Sequence, residues 1–292
     1  MRDGELTWGP LGGDGDREAV AGLAGRCHAV DGGMSEVTIS RFAADGVVTT
    51  GGRTATGVLV AAAAVRPLSP GAAHIGLVDP AHRGHGIGGT LLDWGLDAAA
   101  AVDTGASGVT VETEALTEAA ERLFASRGLR QVFAEDVMRF DLATAEPPAA
   151  PLPPELAPHE WTPDLAGRFF VTYDAAFRDR PGFPGWPAER WVAWTAGDEE
   201  FRPQWSLLAT GPDGDAGFVT CAEGWIVQVG VVPSWRGRGV GGALVAEALR
   251  RMRAGGARQV LLDVNVDNPA GRLYTRLGFT TLGRRAKFQA SR

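Results

Sequence analysis

The clearest hydrophobic pattern in the chain follows a glycine-rich loop in its second half. Beyond this loop, apolar residues recur at positions that share one side of a helix. They are Leu244, Val245, Ala248, Leu249 and Met252. This periodicity predicts an amphipathic helix with one buried face. Three arginines lie near the end of the segment, where cations interact favourably with the helix macrodipole.

Strands are predicted on both sides of this helix. Val227–Val232 precedes the loop, and Gln259–Val266 follows the helix. A second helix comes next and closes in Leu277-Gly278-Phe279. The order strand, loop, helix, strand and helix predicts an α/β fold.

The same order of elements occurs twice in the chain. His74–Gly89 and Val227–Gly242 share the frame strand, Pro, Arg-Gly-x-Gly-x-Gly-Gly, helix. In the first half this frame is followed by a strand at Val109–Thr113 and by a second helix. The interval from the loop arginine to the glycine after that helix is 45 residues in the first half and 42 in the second. This agreement predicts a tandem duplication.

A proline-rich segment separates the two halves. Residues 143–158 contain six prolines, a composition that suits neither a helix nor a central strand. We therefore expect an N-terminal domain at 1–142, a linker at 143–158 and a C-terminal domain at 159–292.

The composition is that of an ordinary globular protein and excludes several classes. Of the 292 residues, 45% are hydrophobic and 22% are charged, and no run approaches the roughly 18 apolar residues of a membrane span. Residues 1–5 lack a signal-peptide layout, and Cys27 and Cys221 lie far apart, so we expect a cytoplasmic protein without disulfides. The net charge of −7 argues against nucleic-acid binding. The histidines and cysteines show no zinc spacing, so no metal is implied.

The glycine loop has the properties of a phosphate-binding site. A strand that ends in such a loop and turns directly into a helix presents unpaired backbone N–H groups at the positive end of the helix dipole. Glycines let phosphate oxygens approach the backbone, and arginines add charge. The alternative is a turn that only connects strand and helix. The candidate binding residues are Arg236, Gly237, Arg238, Gly239, Val240, Gly241 and Gly242 in the second half, and Arg83, Gly84, Gly86, Gly88 and Gly89 in the first.

Two common nucleotide-binding motifs do not match this loop. It contains no Gly-Lys-Ser/Thr, which a Walker A motif requires. It also lacks the Rossmann arrangement of Gly-x-Gly-x-x-Gly with an acidic residue about 20 positions further on. Kinase and dehydrogenase functions therefore lose support.

Two motifs together resemble those of the GNAT family of acetyl-CoA-dependent acyltransferases. The first is Arg236-x-x-Gly239-x-Gly241 after a strand that ends in Val-x-Pro. The second runs from Asn268 to Tyr274 and is followed by Leu-Gly-Phe. Because the frame is duplicated, the resemblance covers both halves, and the chain is similar to tandem GNAT proteins such as mycothiol synthase.

The resemblance implies two tandem GNAT domains of the α/β class, each with a mixed, largely antiparallel sheet flanked by helices. It also implies acetyl-CoA as co-substrate, with its pyrophosphate on the glycine loop and its pantetheine arm beside the preceding strand, which carries Val229 and Val231. Asn268 would contact pantetheine. The family places this Asn seven residues before the Tyr, whereas Asn268 is six before Tyr274 and Asp267 occupies the seventh position. Either the loop is one residue shorter, or the Asp makes this contact.

The two halves differ at the residue that the family uses as general acid. A tyrosine with a pKa near 10 is protonated at neutral pH and can donate a proton to the departing thiolate. Tyr274 fits this role, whereas the first half has Phe124 there and no Asn before its second helix. We therefore expect a catalytic second domain and a non-catalytic first domain, which is either an idle coenzyme A site or a scaffold. A packed aromatic is the alternative for Tyr274.

The candidate general base is Glu223, in the turn before the strand that ends at Val232. Strand alternation places it on the face of Val227 and Val229, from which a carboxylate could take the proton of an amine. A solvated turn residue is the alternative. The segment Tyr173–Trp194, where aromatic and charged residues are interleaved, predicts either a substrate lid or a core-facing helix stripe.

These features predict an acetyl-CoA-dependent N-acetyltransferase. Its acceptor would be the primary amine of a small molecule, such as an antibiotic, a natural product or a thiol precursor, and no metal or redox cofactor would be needed. Mycothiol synthase is the specific alternative, and a non-catalytic acyl-CoA-binding or interaction protein is the alternative from another class. Neither a nucleic acid nor a membrane is an expected partner, and the oligomeric state is left open.

Overall fold

The computed structural model describes residues 6–102, 108–180 and 182–290. The chain divides into two compact units. The first comprises the described residues of Met1–Val137 together with those of Leu282–Arg292, and the second comprises those of Met138–Thr281. The division falls inside two long strands, so each unit contains residues from both halves of the sequence.

The first unit is built from a sheet and four helices. Its strands are β1 (Thr7–Gly9), β2 (Val48–Arg53), β3 (Leu59–Pro67), β4 (Ala72–Val78), β5 (Val109–Thr113) and the first part of β6 (Leu129–Asp141). Its helices are α1 (Asp16–Asp31), α2 (Ser35–Phe42), α3 (Ile87–Val102) and α4 (Glu118–Ser126). The predicted strand at 109–113 agrees with β5 in both bounds.

The second unit repeats this arrangement with its own elements. Its strands are β7 (Ala157–Glu160), β8 (Leu207–Gly211), β9 (Gly214–Ala222), β10 (Trp225–Val231) and β11 (Gln259–Asn265). Its helices are α5 (Ala166–Phe177), α6 (Ala188–Ala196), α7 (Val240–Ala254) and α8 (Gly271–Arg276). The amphipathic helix expected after Gly242 lies within α7, and all five of its predicted core residues are buried.

Both sheets are mixed and largely antiparallel. The strand order is β1-β2-β3-β4-β5 in the first unit and β7-β8-β9-β10-β11 in the second. Each consecutive pair is antiparallel except the last, because β4 with β5 and β10 with β11 run parallel. A helix connects the two strands of each parallel pair, as a parallel connection requires.

Helices cover both faces of the second unit's sheet. Alternation along β8 and β9 sends Leu207 and Val219 into the cluster that contains α7, and Leu208 and Phe218 into the cluster that contains α5 and α6. We call the second group the aromatic cluster; its rings include Trp161, Phe169, Tyr173, Trp191 and Phe218. The sheet therefore has an α7 face and an α5–α6 face.

The last strand of the chain, β12 (Thr280–Ala290), places most of its length in the first unit. It pairs antiparallel with β5, from Ala286 opposite Thr113 to Gln289 opposite Thr110. The predicted domains at 1–142 and 159–292 differ from the observed units at this strand. Similarity between the halves identifies equivalent elements, but it does not tell which sheet a terminal strand joins. Between β6 and β7, residues 142–156 contain only turns and irregular backbone.

Candidate functional site

The parallel strands of each unit separate toward the glycine loop. In the second unit, β10 and β11 pair at Trp225 with Leu261 and diverge beyond this position. A β-bulge lies in the same strand, between Ile226 and Gln228, where the register with β9 shifts. In the first unit, β4 and β5 stay paired as far as His74 before they diverge. Separation leaves one edge of β10 without a strand partner among the described residues, which can bind an extended ligand.

The glycine loops adopt a conformation that favours glycine. Gly239, which caps the start of α7, has φ of 84°, and Gly86 of the first unit has φ of 91°. A Cβ built at either position meets no atom within 4 Å. The loop surface is therefore open, and glycine is required there by the left-handed backbone rather than by a contact. Gly237 and Gly84 share both properties.

The next glycine of each loop serves helix packing. A Cβ at Gly241 would lie 3.4 Å from Val231 Cγ2 and 3.8 Å from Leu273 Cδ2. A Cβ at Gly88 would meet the equivalent neighbours of the first unit, Leu123 and Val78. These two glycines let the helix start close to the strand end, and the following Gly242 and Gly89 face α8 and Arg127 respectively. Val240 is buried in the core.

The loop arginines are held by the protein itself. Arg236 donates through Nε to the Val231 carbonyl at 3.2 Å and through Nη2 to the Ala176 carbonyl at 2.9 Å. Arg83 likewise donates through Nε to the Val78 carbonyl, and it binds both carboxylate oxygens of Asp31. Both arginines therefore tie the loop to the end of a helix. Sequence reasoning treated them as phosphate ligands and missed this role.

The second loop arginine of the second unit points elsewhere. Arg238 is exposed, and its guanidinium lies 4.9 Å from the centroid of the Trp235 ring. This contact holds the positive charge of Arg238 beside the open loop and leaves the guanidinium N–H groups free to bind a ligand. Val229 and Val231, the predicted neighbours of pantetheine, are half-buried and pack against the α7 cluster.

Asn268 is occupied by the turn that precedes α8. Its Oδ1 accepts a hydrogen bond from the Ala270 backbone N–H at 3.0 Å. Asn265, the last residue of β11, makes the same type of bond to the Asp267 N–H at 2.9 Å. Both side chains therefore shape the loop at the end of β11. Sequence reasoning did not single out Asn265, although its place at the strand end was a usable signal.

Tyr274 lies on α8 with only 8% of its surface exposed. Burial raises the pKa of Tyr274 to about 12, and the positive charge of Arg180 opposes this shift. Its ring packs edge-on against Phe279 at a centroid distance of 5.9 Å. In the first unit, Phe124 is similarly buried, 4.9 Å from the Phe288 ring. The Tyr274 phenol is therefore protonated throughout the neutral range.

Glu223 lies in a recess at the other end of α7. Its side chain is 52% exposed and accepts a hydrogen bond from Arg202 Nε at 2.9 Å. The recess measures about 520 Å³ and includes Arg251 and Gly255, at the C-terminal end of α7. The glycine loop is at the N-terminal end of this 15-residue helix, about 22 Å away at 1.5 Å per residue. The structure therefore groups Glu223 with Arg202 and not with the loop.

The segment expected to be a lid or a core stripe contains both kinds of residue. Tyr173 and Trp191 are buried and stack at 4.9 Å in the aromatic cluster. Trp194 is 47% exposed and packs edge-on against Trp186, whose ring carries the guanidinium of Arg190 at 4.5 Å. One side of α6 is therefore core, and the other forms an aromatic and cationic surface.

The first unit contains a cleft of about 430 Å³ at its glycine loop. Its walls include Ile75–Val78 of the diverging strand, the loop residues from Arg83 to Gly89, and Phe124. Two buried carboxylates line it, Glu112 and Glu114. Burial raises the pKa of Glu112, but Arg41, Arg66 and Lys287 outweigh this effect and hold it below its usual value.

Two further findings concern metals and membranes. Within residues 6–102, 108–180 and 182–290, no three or more His, Cys, Asp or Glu side chains are grouped so that they could hold a metal ion. The helices in this part of the chain are too short or too polar to cross a bilayer. Cys27 and Cys221 are both buried free thiols.

Comparison with known proteins identifies relatives of both units. The model of the acetyltransferase (GNAT) family matches residues 35–129 and 159–279. A mycothiol acetyltransferase of Kineococcus radiotolerans is 34% identical over 288 residues, which cover 93% of this chain and 92% of the relative. The mycothiol acetyltransferase of Thermobispora bispora is 33% identical over 221 residues, covering 70% of this chain and 71% of the relative.

Solved structures give the same result for the fold. A GCN5-related N-acetyltransferase from Sphaerobacter thermophilus matches with a TM-score of 0.73 and 26% identity, covering 99% of this chain and 96% of the other. A tandem GNAT protein from the clavulanic acid biosynthesis pathway matches with a TM-score of 0.61 and 18% identity, covering 98% of each chain. The expected tandem α/β fold is confirmed. The chain belongs to the acetyltransferase (GNAT) family and is an N-acetyltransferase with two tandem GNAT domains.

Proposed function

We propose that the second unit transfers an acetyl group from acetyl-CoA to the primary amine of a small molecule. The observation that carries this proposal is the combination, in one unit, of a diverging strand pair, an open glycine loop and a buried protonated tyrosine. The first unit has the strands and the loop but a phenylalanine in place of the tyrosine.

The glycine loop suits the pyrophosphate of acetyl-CoA. Gly237, Gly239 and Gly241 expose backbone N–H groups at the start of α7, where the helix dipole favours an anion. Arg238 adds an exposed charge beside them, whereas Arg236 supports the loop from behind. The pantetheine arm would lie along the free edge of β10, beside Val229. Asn268, in the loop after β11, would lie on the other side of the arm.

The chemistry needs a neutral amine and a proton for the leaving sulfur. The amine nitrogen attacks the thioester carbonyl, a C–N bond forms, the C–S bond breaks, and the nitrogen loses a proton. Tyr274 would donate its phenolic proton to the departing thiolate, and the phenolate would be reprotonated from solvent. Because the pKa of Tyr274 is about 12, the phenol stays protonated up to about pH 11, which includes pH values at which much of the amine is neutral.

The geometry does not favour Glu223 as the general base. Glu223 is ion-paired with Arg202 at the distal end of α7, on the side that carries Trp205 and Arg251. We therefore propose that the amine enters the site already neutral and that the released proton passes to water. With no carboxylate to take the proton, kcat/KM should rise with pH through the pKa of the acceptor amine.

We propose that the first unit binds a coenzyme A thioester without turning it over. Its cleft of about 430 Å³ at the loop Gly84, Gly86, Gly88 and Gly89 supports binding. Arg83, fixed by Asp31, would support this loop as Arg236 does its own. Phe124 fills the position of Tyr274 but has no proton to donate.

The activities named for the relatives suggest a narrower class of acceptor. Mycothiol acetyltransferases at 33% and 34% identity make the cysteinyl amine of mycothiol's precursor a specific candidate. An antibiotic or natural-product amine is the broader one. A purely acyl-CoA-binding role for the whole chain is the remaining alternative, and it predicts binding without turnover.

The test is a measurement of coenzyme A release by chromatography. The purified chain would be incubated with acetyl-CoA and a panel of primary amines that includes mycothiol's precursor. Amine-dependent release, together with the N-acetylated product by mass spectrometry, is the expected result. Calorimetric binding of acetyl-CoA with no release for any amine would overturn the proposed transfer and support the binding role.

A further inference from the structure

Four buried side-chain polar atoms on the α5–α6 face of the second unit's sheet have no hydrogen-bond partner among the described residues. Such atoms are uncommon in native proteins, and each calls for an explanation. Those of this unit that lack a partner are Trp191 Nε1, Thr195 Oγ1, Thr220 Oγ1 and Gln228 Oε1. All four side chains belong to α6 or to β9 and β10, on the side of the sheet that α5 and α6 cover.

Two of these residues lie side by side on adjacent strands of the sheet. Thr220 of β9 and Gln228 of β10 are register partners, so their side chains project from the same face. This face is the α5–α6 face, because the next register pair on the same side, Phe218 with Gly230, packs against the aromatic cluster and Ala176. Thr220 is almost completely buried, and Gln228 is half-buried.

Their position coincides with the reacting end of the proposed site. Gln228 directly follows the β-bulge, three residues beyond Trp225, where β10 and β11 stop pairing. An acyl group carried between the diverging strands would end near this point, because the two strands close behind it. Bulges next to active sites commonly redirect side chains in this way.

The first unit provides an internal comparison. Ile75 stands eight residues before Arg83, as Gln228 stands eight before Arg236, and its register partner on β3 is Ala64. The same fold is therefore built with an apolar pair at these two positions. The polar pair of the second unit is not needed for the architecture.

We propose that Thr220 and Gln228 form the hydrogen-bonding floor of the acceptor site. The inference rests on the proposed function and adds the acceptor class to it: an amine that carries a neighbouring hydroxyl or amide group. Gln228 Oε1 accepts a hydrogen from the amine or its neighbour, and the Thr220 hydroxyl bonds the second polar group. Both partners are uncharged, so they hold the amine in its neutral form.

Access to this floor involves α6. Trp191 stacks on Tyr173 above the sheet, and both oxygens are covered in the described conformation. The acceptor reaches them when the α5–α6 layer moves away from β9 and β10, on which α5 packs directly. Trp191 Nε1, which lacks a partner at present, can then donate to the same ligand.

The experiment compares matched amines with the wild-type protein and with variants that copy the first unit. The probes are serinamide against isobutylamine and glucosamine against cyclohexylamine, with acetyl-CoA as donor and coenzyme A release as readout. The variants are Gln228→Ile, Thr220→Ala and, because a valine closely matches threonine in shape, Thr220→Val. Gln259→Ile makes the same type of change at an exposed position of β11 in the same unit and serves as the control.

Wild type and Gln259→Ile should prefer the polar member of each pair by about tenfold or more in kcat/KM, as one or two hydrogen bonds to the acceptor allow. Gln228→Ile and Thr220→Val should reduce this preference to within about twofold, with acetyl-CoA affinity by calorimetry unchanged. Their melting temperatures should stay equal or rise, because an unpaired buried polar group is removed.

The outcomes separate this inference from the proposed function. Transfer by wild type without any preference for the polar amines overturns the inference and leaves the proposed function intact. A folded Gln228→Ile or Thr220→Val variant that keeps the wild-type preference also overturns it. Absence of transfer to every amine overturns the proposed function, and the acceptor floor with it.

Discussion

Replacing Tyr274 by Phe separates the proposed proton donor from its packing. Phe is what the first unit carries at the equivalent position, where it is accommodated against Phe288. The ring of Tyr274 contacts Phe279 edge-on, and a phenylalanine ring can keep this contact. The substitution therefore removes the hydroxyl group and little else.

The expected kinetic effect follows from general acid catalysis. Such catalysis contributes about 10²–10⁴, and water can partly replace a lost donor, so kcat should fall about 10- to 10³-fold. The KM for acetyl-CoA should change little, because the phenol acts when the C–S bond breaks. The wild-type rate should not decline through phenol ionisation below about pH 11, because burial raises the pKa of Tyr274 to about 12.

The same buried phenol makes the stability depend on pH. In the unfolded chain a tyrosine ionises near pH 10, whereas Tyr274 in the folded protein keeps its proton until about pH 12. The contribution of this phenol to the free energy of unfolding is therefore fully present below pH 10. It is lost as the pH rises toward 12, at about 1.4 kcal/mol per pH unit. Tyr274→Phe removes this term, so between pH 9 and pH 11 the wild-type protein should lose about 1 kcal/mol of unfolding free energy relative to the variant.

Two assays check these values. Single-turnover kinetics with acetyl-CoA and an active amine measure the chemical step, and urea unfolding at pH 9 and pH 11 measures the stability term. If the variant retains more than about half of the wild-type rate while chemistry limits turnover, the acid assignment is refuted. Tyr274 would then be a core aromatic, as Phe124 is.

Four further substitutions test the surrounding assignments. Gly239→Val forces a branched residue to φ of 84° and should abolish calorimetric binding of acetyl-CoA to the second unit. Gly86→Val, the equivalent change in the first unit, should leave turnover within about threefold of the wild-type value. A collapse of turnover in Gly86→Val would mean that both loops contribute to catalysis. Glu223→Gln should keep kcat within about twofold, and a larger loss would restore its role as base. Arg285→Met leaves the buried Glu114 with one guanidinium fewer and should cost about 2–3 kcal/mol in urea unfolding; an unchanged midpoint would contradict the buried pairing.

The parts that could be predicted from the sequence are those with a local physical signature. The helical period after Gly242 and the glycines at φ near 80° follow from rules that act within one or two turns of chain. The duplication made these signals stronger, because each appears twice. The loop, its helix and the strand before it were placed correctly for this reason.

The parts that could not be predicted depend on contacts distant in sequence. The hydrogen bond from Arg236 to the Ala176 carbonyl could not be predicted, because the two residues are 60 positions apart in the sequence. The face occupied by Glu223 was inferred from strict alternation, which the bulge before Gln228 interrupts. The sequence did indicate Gln228, because the equivalent residue of the first half is the apolar Ile75. This difference was not used in the prediction.

The pairing of β12 with β5 also affects how the protein is made. The first unit acquires this strand, with Arg285 and Lys287 for its buried carboxylates, only when β12 has been synthesised. Until then one edge of β5 is unpaired, and Glu112 has Arg41 and Arg66 but not Lys287. An unpaired strand edge can pair with the wrong strand. Although most of its residues are translated first, this unit therefore completes its folding only after the residues of the second unit have been synthesised.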